Sequence, residues 1–360
     1  MPKFHPLKVR DIRRETEDAV SVSFEVPAEL QEEYKFIQGQ YLTLKTDLNG
    51  EEVRRSYSIC RSPLDNDLRV AIKKVEGGVF STYANDVLEV GTVLDVMTPI
   101  GRFYTPIDPD NEKHYVAFAA GSGITPVMAH MRTALAMEPK SEFTLIYGNK
   151  STSSIIFKEE IEDLKDEYMD RLRVYHILSR ENNEFPLFNG RIDAEKCDTF
   201  MKYFIQPETI DEVFVCGPAP LIENVRKAMK DAGLDRKKVH FELFASPQQL
   251  AEREGYEKPK REKKEGFQAK VDIILDGVTN SFTMDSEDTN ILDAALKNGA
   301  DLPFACKGGV CATCRAKLEE GKVDMEVNYS LEPDELERGF ILTCQAHPTM
   351  EKVVVNFDEA

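Results

Sequence analysis

The sequence predicts a multidomain protein: an antiparallel β-barrel, then an α/β domain on a parallel sheet, then a small α+β unit. Three observations predict this order. Short alternating apolar segments fill residues 1–106, and apolar runs alternate with helical stretches over 107–247. Near the far end three cysteines crowd together in Cys306-Lys-Gly-Gly-Val-Cys311-Ala-Thr-Cys314. A chain of 360 residues exceeds one ordinary core, so two or three domains are expected.

In the first region Leu7–Ile12, Val20–Phe24, Tyr41–Leu44 and Leu68–Ile72 alternate as strands do. Asn49-Gly50 and Gly77-Gly78 supply turn signals between them. In the second, Tyr115–Ala120 is a continuous apolar run, and amphipathic stretches are expected at 126–136 and 157–168. Further apolar segments at Phe143–Tyr147, Leu172–Ile177, Val213–Cys216 and Val239–Phe244 complete a parallel sheet wrapped by helices. Such sheets hold ligands at the carboxyl ends of their strands.

Residues 248–266 are rich in Glu, Lys and Arg and contain Pro259, the composition of a solvated linker that lets its neighbours move. Over 267–360, Phe267, Ala269, Val271, Ile273 and Leu275 alternate as one strand, and Asp276-Gly277 makes a hairpin turn. A helix carrying Ile291, Leu292, Ala295 and Leu296 is expected to stop at Gly299, and Val353–Val355 closes the sheet.

Charge and composition exclude several function classes. A net charge of −18 repels nucleic acid. No apolar run is long enough to span a bilayer, and Met1-Pro-Lys-Phe-His-Pro6 has no apolar signal core, so no membrane is expected and the cytosol is. Seven cysteines, four of them grouped by spacing, favour redox or metal chemistry over a disulfide scaffold. The six histidines form no triad or metal pattern, and there is no G-x-S-x-G elbow, so hydrolysis has no support. Residues 267–360 hold 8 Lys/Arg against 18 Asp/Glu. That acidity either steers a partner with a basic patch or serves solubility.

The cysteine spacing is C-x4-C-x2-C followed thirty residues on by Cys344, the arrangement that holds a plant-type [2Fe–2S] cluster. Gly308 and Gly309 are expected to take backbone angles closed to other residues and so aim amides at sulfur. A structural zinc site would use two C-x2-C knuckles, and only one such pair is present. A cluster of this kind carries one electron and takes no hydride. The upstream domains therefore read as the device that feeds it.

Three upstream motifs suit that task. In Arg55-Ser-Tyr57-Ser58 the Arg suits a pyrophosphate, the Tyr offers a face for ring stacking, and the Ser hydroxyl reaches a ring nitrogen. Gly121-Ser-Gly123-Ile-Thr125-Pro126 is a phosphate-cradling loop running into a helix, with Pro126 where a Rossmann motif has its third Gly. Ser179-Arg180 follows the third strand of its domain, where a ribose 2′ substituent would sit. Arg there suits the 2′-phosphate of NADPH, while the adjacent Glu181 suits NADH.

Together with Gly39-Gln-Tyr41 and Gly77-Gly-Val-Phe-Ser81-Thr82, these motifs resemble the ferredoxin–NADP reductase superfamily. The cysteine loop, with Leu342-Thr-Cys-Gln-Ala-His-Pro348, resembles plant-type ferredoxin. The domain order is similar, over the whole chain, to reductase components of multicomponent oxygenases.

The resemblance implies FAD, with Arg55 on its diphosphate, Tyr57 stacked on the isoalloxazine and Ser58 near flavin N5. It implies phosphate contacts from Gly78, Val79, Ser81 and Thr82. Gly121, Gly123, Thr125, Gly217 and Pro218 would hold the nicotinamide nucleotide. Cys216 would lie beside the nicotinamide, and Phe244 would shield the flavin face opposite Tyr57. Ser58, Cys216 and Phe244 are thus the candidate catalytic residues, although Cys216 and Phe244 also fit plain core positions. A β-grasp ferredoxin domain would bind the cluster through Cys306, Cys311, Cys314 and Cys344. Cys60 and Cys197 read as structural.

The implied route runs from NADPH through FAD and the cluster to a di-iron oxygenase or hydroxylase component docked on the acidic ferredoxin domain. Two alternatives stay open: FMN with NADH and a Rieske partner, as in phthalate-dioxygenase-like reductases, and a non-enzymatic metal-binding interaction protein.

Overall fold

The computed structural model describes residues 3–245, Leu250, 266–285 and 288–359. The chain divides into two compact units, one spanning Phe4–Phe244 and one formed by the residues from Ala245 onward. Leu250 and Gly266 apart, the expected linker at 248–266 lies outside the described residues.

The first unit begins with β1 (Phe4–Thr16), β2 (Ala19–Glu25), β3 (Tyr41–Leu48), β4 (Glu51–Ser58), β5 (Leu68–Lys73), α1 (Val79–Asp86) and β6 (Val93–Met97). They form an antiparallel sheet in the order β4-β3-β6-β1-β2-β5. A bridge between Ile59 and Val70, and the Cys60 N–H to Arg69 carbonyl bond at 3.0 Å, join its two ends into the expected barrel. β6 escaped the sequence reading, yet it pairs with both β1 and β3. Alternation puts Leu7, Val9, Val22, Leu42, Leu44, Val70 and Val96 inside. Each such side chain contributes about 1.5–3 kcal/mol by leaving water.

The α/β domain follows with β7 (His114–Ala120), α2 (Ile124–Met137), β8 (Glu142–Asn149), α3 (Lys158–Glu167), β9 (Leu172–Leu178), α4 (Ala194–Tyr203), β10 (Glu212–Gly217), α5 (Ala219–Asp231) and β11 (Val239–Leu243). Its strands are all parallel, in the order β11-β10-β7-β8-β9. The chain runs outward from β7 to β9 and then returns to β10 on the other side. β7 and β10 are therefore neighbours at a topological switch point, and sheets of this kind take their ligands beyond the carboxyl ends of such strands.

α2 differs from its expected amphipathic character, for even His130 and Thr133 are buried. The reason is tertiary. One side of α2 lies on the parallel sheet. The other meets the barrel, where His130 Nε2 lies 2.7 Å from the Phe103 carbonyl and Thr133 donates its hydroxyl to Ser62 at 3.0 Å. Arg132 reaches Asp65 at 3.0 Å, and Arg61 makes a two-pronged ion pair with Glu160 of α3. These partly buried pairs join barrel and α/β domain into one body.

The second unit contains β12 (Gln268–Leu275), β13 (Val278–Asp285), α6 (Ile291–Lys297), β14 (Arg315–Glu320), β15 (Val323–Met325), α7 (Pro333–Glu337), β16 (Phe340–Leu342), β17 (Ala346–Pro348) and β18 (Lys352–Asn356). Asp276 and Gly277 take φ of +51° and +72°, as the tightest hairpin turn requires. The Asn290 side chain accepts the Asp293 N–H at 2.8 Å and starts α6, and left-handed Gly299 follows its end. The main sheet runs β13-β12-β18-β14-β16, while β15 and β17 pair separately. β18 lies in the middle, parallel to β12 and antiparallel to β14. Among the described residues no helix is long and apolar enough to cross a membrane.

Candidate active site and cluster loop

On β4, Arg55 and Tyr57 share one face because side chains alternate along a strand. Arg55 is exposed and Tyr57 half-buried, its ring 5.7 Å from that of Phe80 on α1. Gly78 caps α1 without a side-chain hydrogen bond, leaving main-chain donors in the first turn beside that ring. An exposed guanidinium, a ring face and an uncapped helix start suit a flavin and its diphosphate. Ser81 is engaged locally: its Oγ accepts the Val75 N–H at 3.1 Å and donates to the Gly78 carbonyl at 3.3 Å. Thr82 and exposed Val79 lie on the same turn.

Gly121 and Gly123 form a tight turn between β7 and α2. Gly121 has φ of +53°, and a Cβ on Gly123 would come within 2.1 Å of the Cys216 carbonyl. The turn therefore presses directly on the end of β10. Gly217 and Pro218 lie there, with Pro218 opening α5. Buried Thr125 donates its hydroxyl to the Ser122 carbonyl at 3.0 Å and holds the turn's shape. Lys73, which sequence reasoning missed, brings Nζ to 3.9 Å from the point where a Gly121 Cβ would stand.

Cys216 is fully buried and joins the core between the sheet and α2, with Phe244 packed against that core. The Phe244 N–H donates to the Gly217 carbonyl at 2.9 Å and fixes the chain just past β11. Parallel register sets Cys216 of β10 opposite Glu242 of β11. Ser58 in turn donates its hydroxyl to Glu242 Oε2 at 3.2 Å. Ser58, Cys216 and Glu242 thus meet although they lie far apart in sequence. Loss of water around Glu242 pushes its carboxyl up to about 7, and the Ser58 hydrogen bond offsets only part of that. Burial, then the neighbouring Glu242, raises the Cys216 thiol, which stays protonated.

Glu242 was also missed. Its signal lay in His240-Phe-Glu-Leu-Phe244, where a carboxylate interrupts an apolar strand bound for the interior. Cys60 and Cys197 are buried core thiols, and Cys60 donates to the Arg69 carbonyl.

At the far edge of the sheet, Ser179 and Arg180 are exposed just beyond β9. Their N–H groups continue the ladder to the carbonyls of Asn149, at 2.9 Å, and Lys150, at 2.7 Å. Glu181 turns to Thr152, accepting its N–H at 2.8 Å and its hydroxyl at 2.6 Å.

The cluster loop brings the four cysteines together as two pairs. Cys306 contacts Cys311, and Cys314 contacts Cys344. The Cys311 thiol holds Cys306 below the ordinary thiol range, with help from the Gly308 N–H at 3.3 Å and the Cys311 N–H at 3.4 Å. Cys344 is lowered by Cys314 and then by the Gln345 amide. Cys314 and Cys344 are each only 3% exposed. Among the described residues no three His, Cys, Asp or Glu side chains converge on one ion position. One half-buried and one buried pair, with amides aimed at sulfur, fit two irons with two thiolates each.

The backbone of this loop departs from expectation at one glycine. Gly309 is left-handed at φ +74°, with Val327 and Gln345 only 3.1–3.3 Å from where its Cβ would be. Gly308 is not; instead Lys307 and Ala312 take positive φ, at +50° and +54°. The loop closes by using two side-chain-bearing residues in that region. Gln345, unremarked in the sequence, straps it: its amide donates to the Lys307 carbonyl at 3.0 Å and to Cys344 Sγ at 3.5 Å.

Three domain families match stretches of the chain. Residues 6–113 match the oxidoreductase FAD-binding domain family, 118–227 the oxidoreductase NAD-binding domain family, and 273–349 the 2Fe-2S iron-sulfur cluster binding domain family. The chain is 46% identical over 358 residues, 99% of each chain, to a component polypeptide of 1,2-phenylacetyl-CoA epoxidase from Escherichia coli K12. It is 33% identical to the ferredoxin reductase component of 3-ketosteroid-9-alpha-monooxygenase from Rhodococcus rhodochrous, over 98% of this chain and 96% of that one. Among solved structures, phthalate dioxygenase reductase shares the fold at a TM-score of 0.60 and 22% identity, with 98% of both chains covered. A non-enzymatic metal-binding protein has no use for two oxidoreductase domains, and that alternative falls. The chain belongs to the ferredoxin–NADP reductase superfamily, among the oxidoreductases that join FAD-binding and NAD-binding domains to a C-terminal [2Fe–2S] ferredoxin domain.

Proposed function

We propose that this chain is the reductase component of a phenylacetyl-CoA epoxidase-type system, moving electrons from NADPH to a di-iron oxygenase partner. The observation that carries the reading is the pairing, in one chain, of a β7/β10 topological switch point lined by Gly121, Gly123 and Gly217 with two thiol pairs, Cys306–Cys311 and Cys314–Cys344. Likeness to the epoxidase component along the whole chain supports the pathway.

When bound, FAD supplies the conversion from two-electron to one-electron transfer, and [2Fe–2S] the one-electron exit. The chain's own residues bind and orient. Arg55, Gly78, Val79, Ser81 and Thr82 hold the flavin diphosphate, and Tyr57 and Phe244 flank its ring. Gly121, Gly123, Thr125, Gly217 and Pro218, with Lys73, seat the nucleotide phosphates and nicotinamide. Ser58 and Glu242 keep a proton beside the reacting ring, and Cys216 packs that position without ionising. Cys306, Cys311, Cys314 and Cys344 ligate the cluster.

Ser179 and Arg180 read the 2′-phosphate of NADPH. The units run 1–106, 107–247 and 267–360, with 248–266 as the linker. The acidic ferredoxin domain docks the oxygenase, and the compartment is the cytosol.

The test combines purified holoprotein, NADPH and the oxygenase component of phenylacetyl-CoA epoxidase. Epoxide formation matched to NADPH oxidation is expected. Oxidation that stays at the rate of the reductase alone, with no epoxide, overturns the pathway.

A further inference from the structure

We propose that Thr152 and Glu181 form a latch that sets coenzyme preference by turning a carboxylate away from the ribose 2′ position. The inference rests on the NADPH reading above and adds a residue pair to it.

The loops after β8 and β9 leave the sheet side by side, tied by the Ser179 and Arg180 N–H bonds to Asn149 and Lys150. They bring two exposed cations, Lys150 and Arg180, to one edge, with the hydroxyl-rich run Ser151–Ser154 between them in sequence. Glu181 is the acidic residue in this setting. A carboxylate beyond such a strand ordinarily accepts ribose hydroxyls, which favours NADH and repels a 2′-phosphate. Here the sequence alone pulls both ways, since Arg180 and Glu181 are adjacent.

The structure separates them. Both Glu181 oxygens are committed to one residue, Oε1 to the Thr152 main-chain N–H and Oε2 to its hydroxyl. Those bonds keep the carboxyl ionised and fixed. Thr152 is itself immobilised as the first residue of a 3₁₀ turn, Thr152–Ser154, with reciprocal Ser151–Ser154 capping bonds. The carboxylate thus serves to close one loop onto the other, and Ser179 and Arg180 are left to meet the 2′ substituent.

Thr152→Val keeps the main-chain donor and the side-chain shape but removes the hydroxyl, freeing one carboxylate oxygen. The test compares kcat/KM for NADPH and NADH, read as ferricyanide reduction by holoprotein, in wild type, Thr152→Val and Thr152→Val/Glu181→Gln. Binding of 2′,5′-ADP and of 5′-AMP gives an independent readout. Wild type should favour NADPH. Thr152→Val should move the ratio about tenfold toward NADH, the worth of one well-placed hydrogen bond. The double variant should return it toward NADPH, because the released side chain then carries no charge; a merely distorted loop would not recover.

A wild type that favours NADPH and a Thr152→Val ratio within twofold of it overturn the latch and leave the NADPH reading standing. A wild type that favours NADH, with Thr152→Val shifted further toward NADH, overturns that reading and supports the latch. A wild type that favours NADH with no shift overturns both.

Discussion

Cys306, Cys311 and Cys314 lie within one short loop whose own backbone bends them into place. Ser58, Cys216 and Glu242 come from three strands of two domains, and the Ser58–Glu242 bond spans 184 positions. The first site is specified by spacing along the chain, the second by the register between β10 and β11 and by how the barrel sits on α2. A change in the loop should therefore act locally on the cluster. A change near the switch point should disturb whatever aligns the strands. Substitutions at each site can break that contrast or sharpen it.

The largest expected effect is from Cys311→Ser or Cys344→Ser. Each should abolish the visible cluster absorbance and electron delivery to the oxygenase, while NADPH–ferricyanide reduction stays within about twofold, since all four proposed ligands belong to the second compact unit. Absorbance spectra and the two assays read this directly. Loss of ferricyanide reduction as well would mean that the two sites are not separable.

Glu242→Gln should come next, slowing reduction of bound flavin by NADPH about hundredfold, the low end for a lost proton-holding partner. Stopped-flow absorbance is the measurement. Ser58→Ala should fall in the same range, and the double variant should cost little more than either alone, because the two side chains share one hydrogen bond.

Gly123→Ala probes the alignment itself. Its Cβ would sit 2.1 Å from the Cys216 carbonyl, so α2 or β10 must shift. A stability loss of about 1–3 kcal/mol is expected in denaturant unfolding, as in other overpacked sites, with the cluster spectrum unchanged.

Gln345→Leu removes a donor to Cys344 Sγ and the strap to Lys307. A hydrogen bond of about 0.5–1.5 kcal/mol corresponds to roughly 20–65 mV for one electron. The cluster potential should fall by that amount, since donors to sulfur favour the more negative, reduced state. An EPR-monitored redox titration would detect it.

A separate effect is on pH dependence. The Glu242 carboxyl sits at about 7 in the folded chain against an ordinary 4.5. Its contribution to stability is full below about 4.5 and is lost as pH rises through about 7. Glu242→Gln should flatten the denaturation midpoint across that window. An unchanged slope would show the carboxyl to be solvated.

What the sequence made legible follows the same contrast. Three of the four candidate ligand cysteines announce themselves by spacing, and strands such as those at Val20–Phe24 and Tyr115–Ala120 by alternation or continuous apolarity. Glu242 did not, because its partner is on another domain. The burial of α2 was equally hidden: His130 and Thr133 look solvent-facing until a barrel covers them. Glu181 read as an objection to Arg180, and only the fold shows its oxygens occupied by Thr152. In the cluster loop glycine content pointed to two left-handed positions, but the strain falls on Lys307 and Ala312 as well. Such assignments depend on closure of the whole loop, which no single residue type encodes.

The position of β18 bears on the order in which the ferredoxin unit can be made. Synthesis delivers all four cysteines before Lys352–Asn356, yet that strand bridges β12 and β14 at the centre of the sheet. Until it emerges, the hairpin of β12 and β13 and the pair β14–β16 present open edges, and the thiol pairs lack the sheet that backs them. The sheet behind the thiol pairs is complete only once β18 is in place, and cluster loading is expected to follow that step. Chains stopped before Lys352 should accumulate without a cluster under iron-replete expression, and recovery of a cluster in them would refute that order.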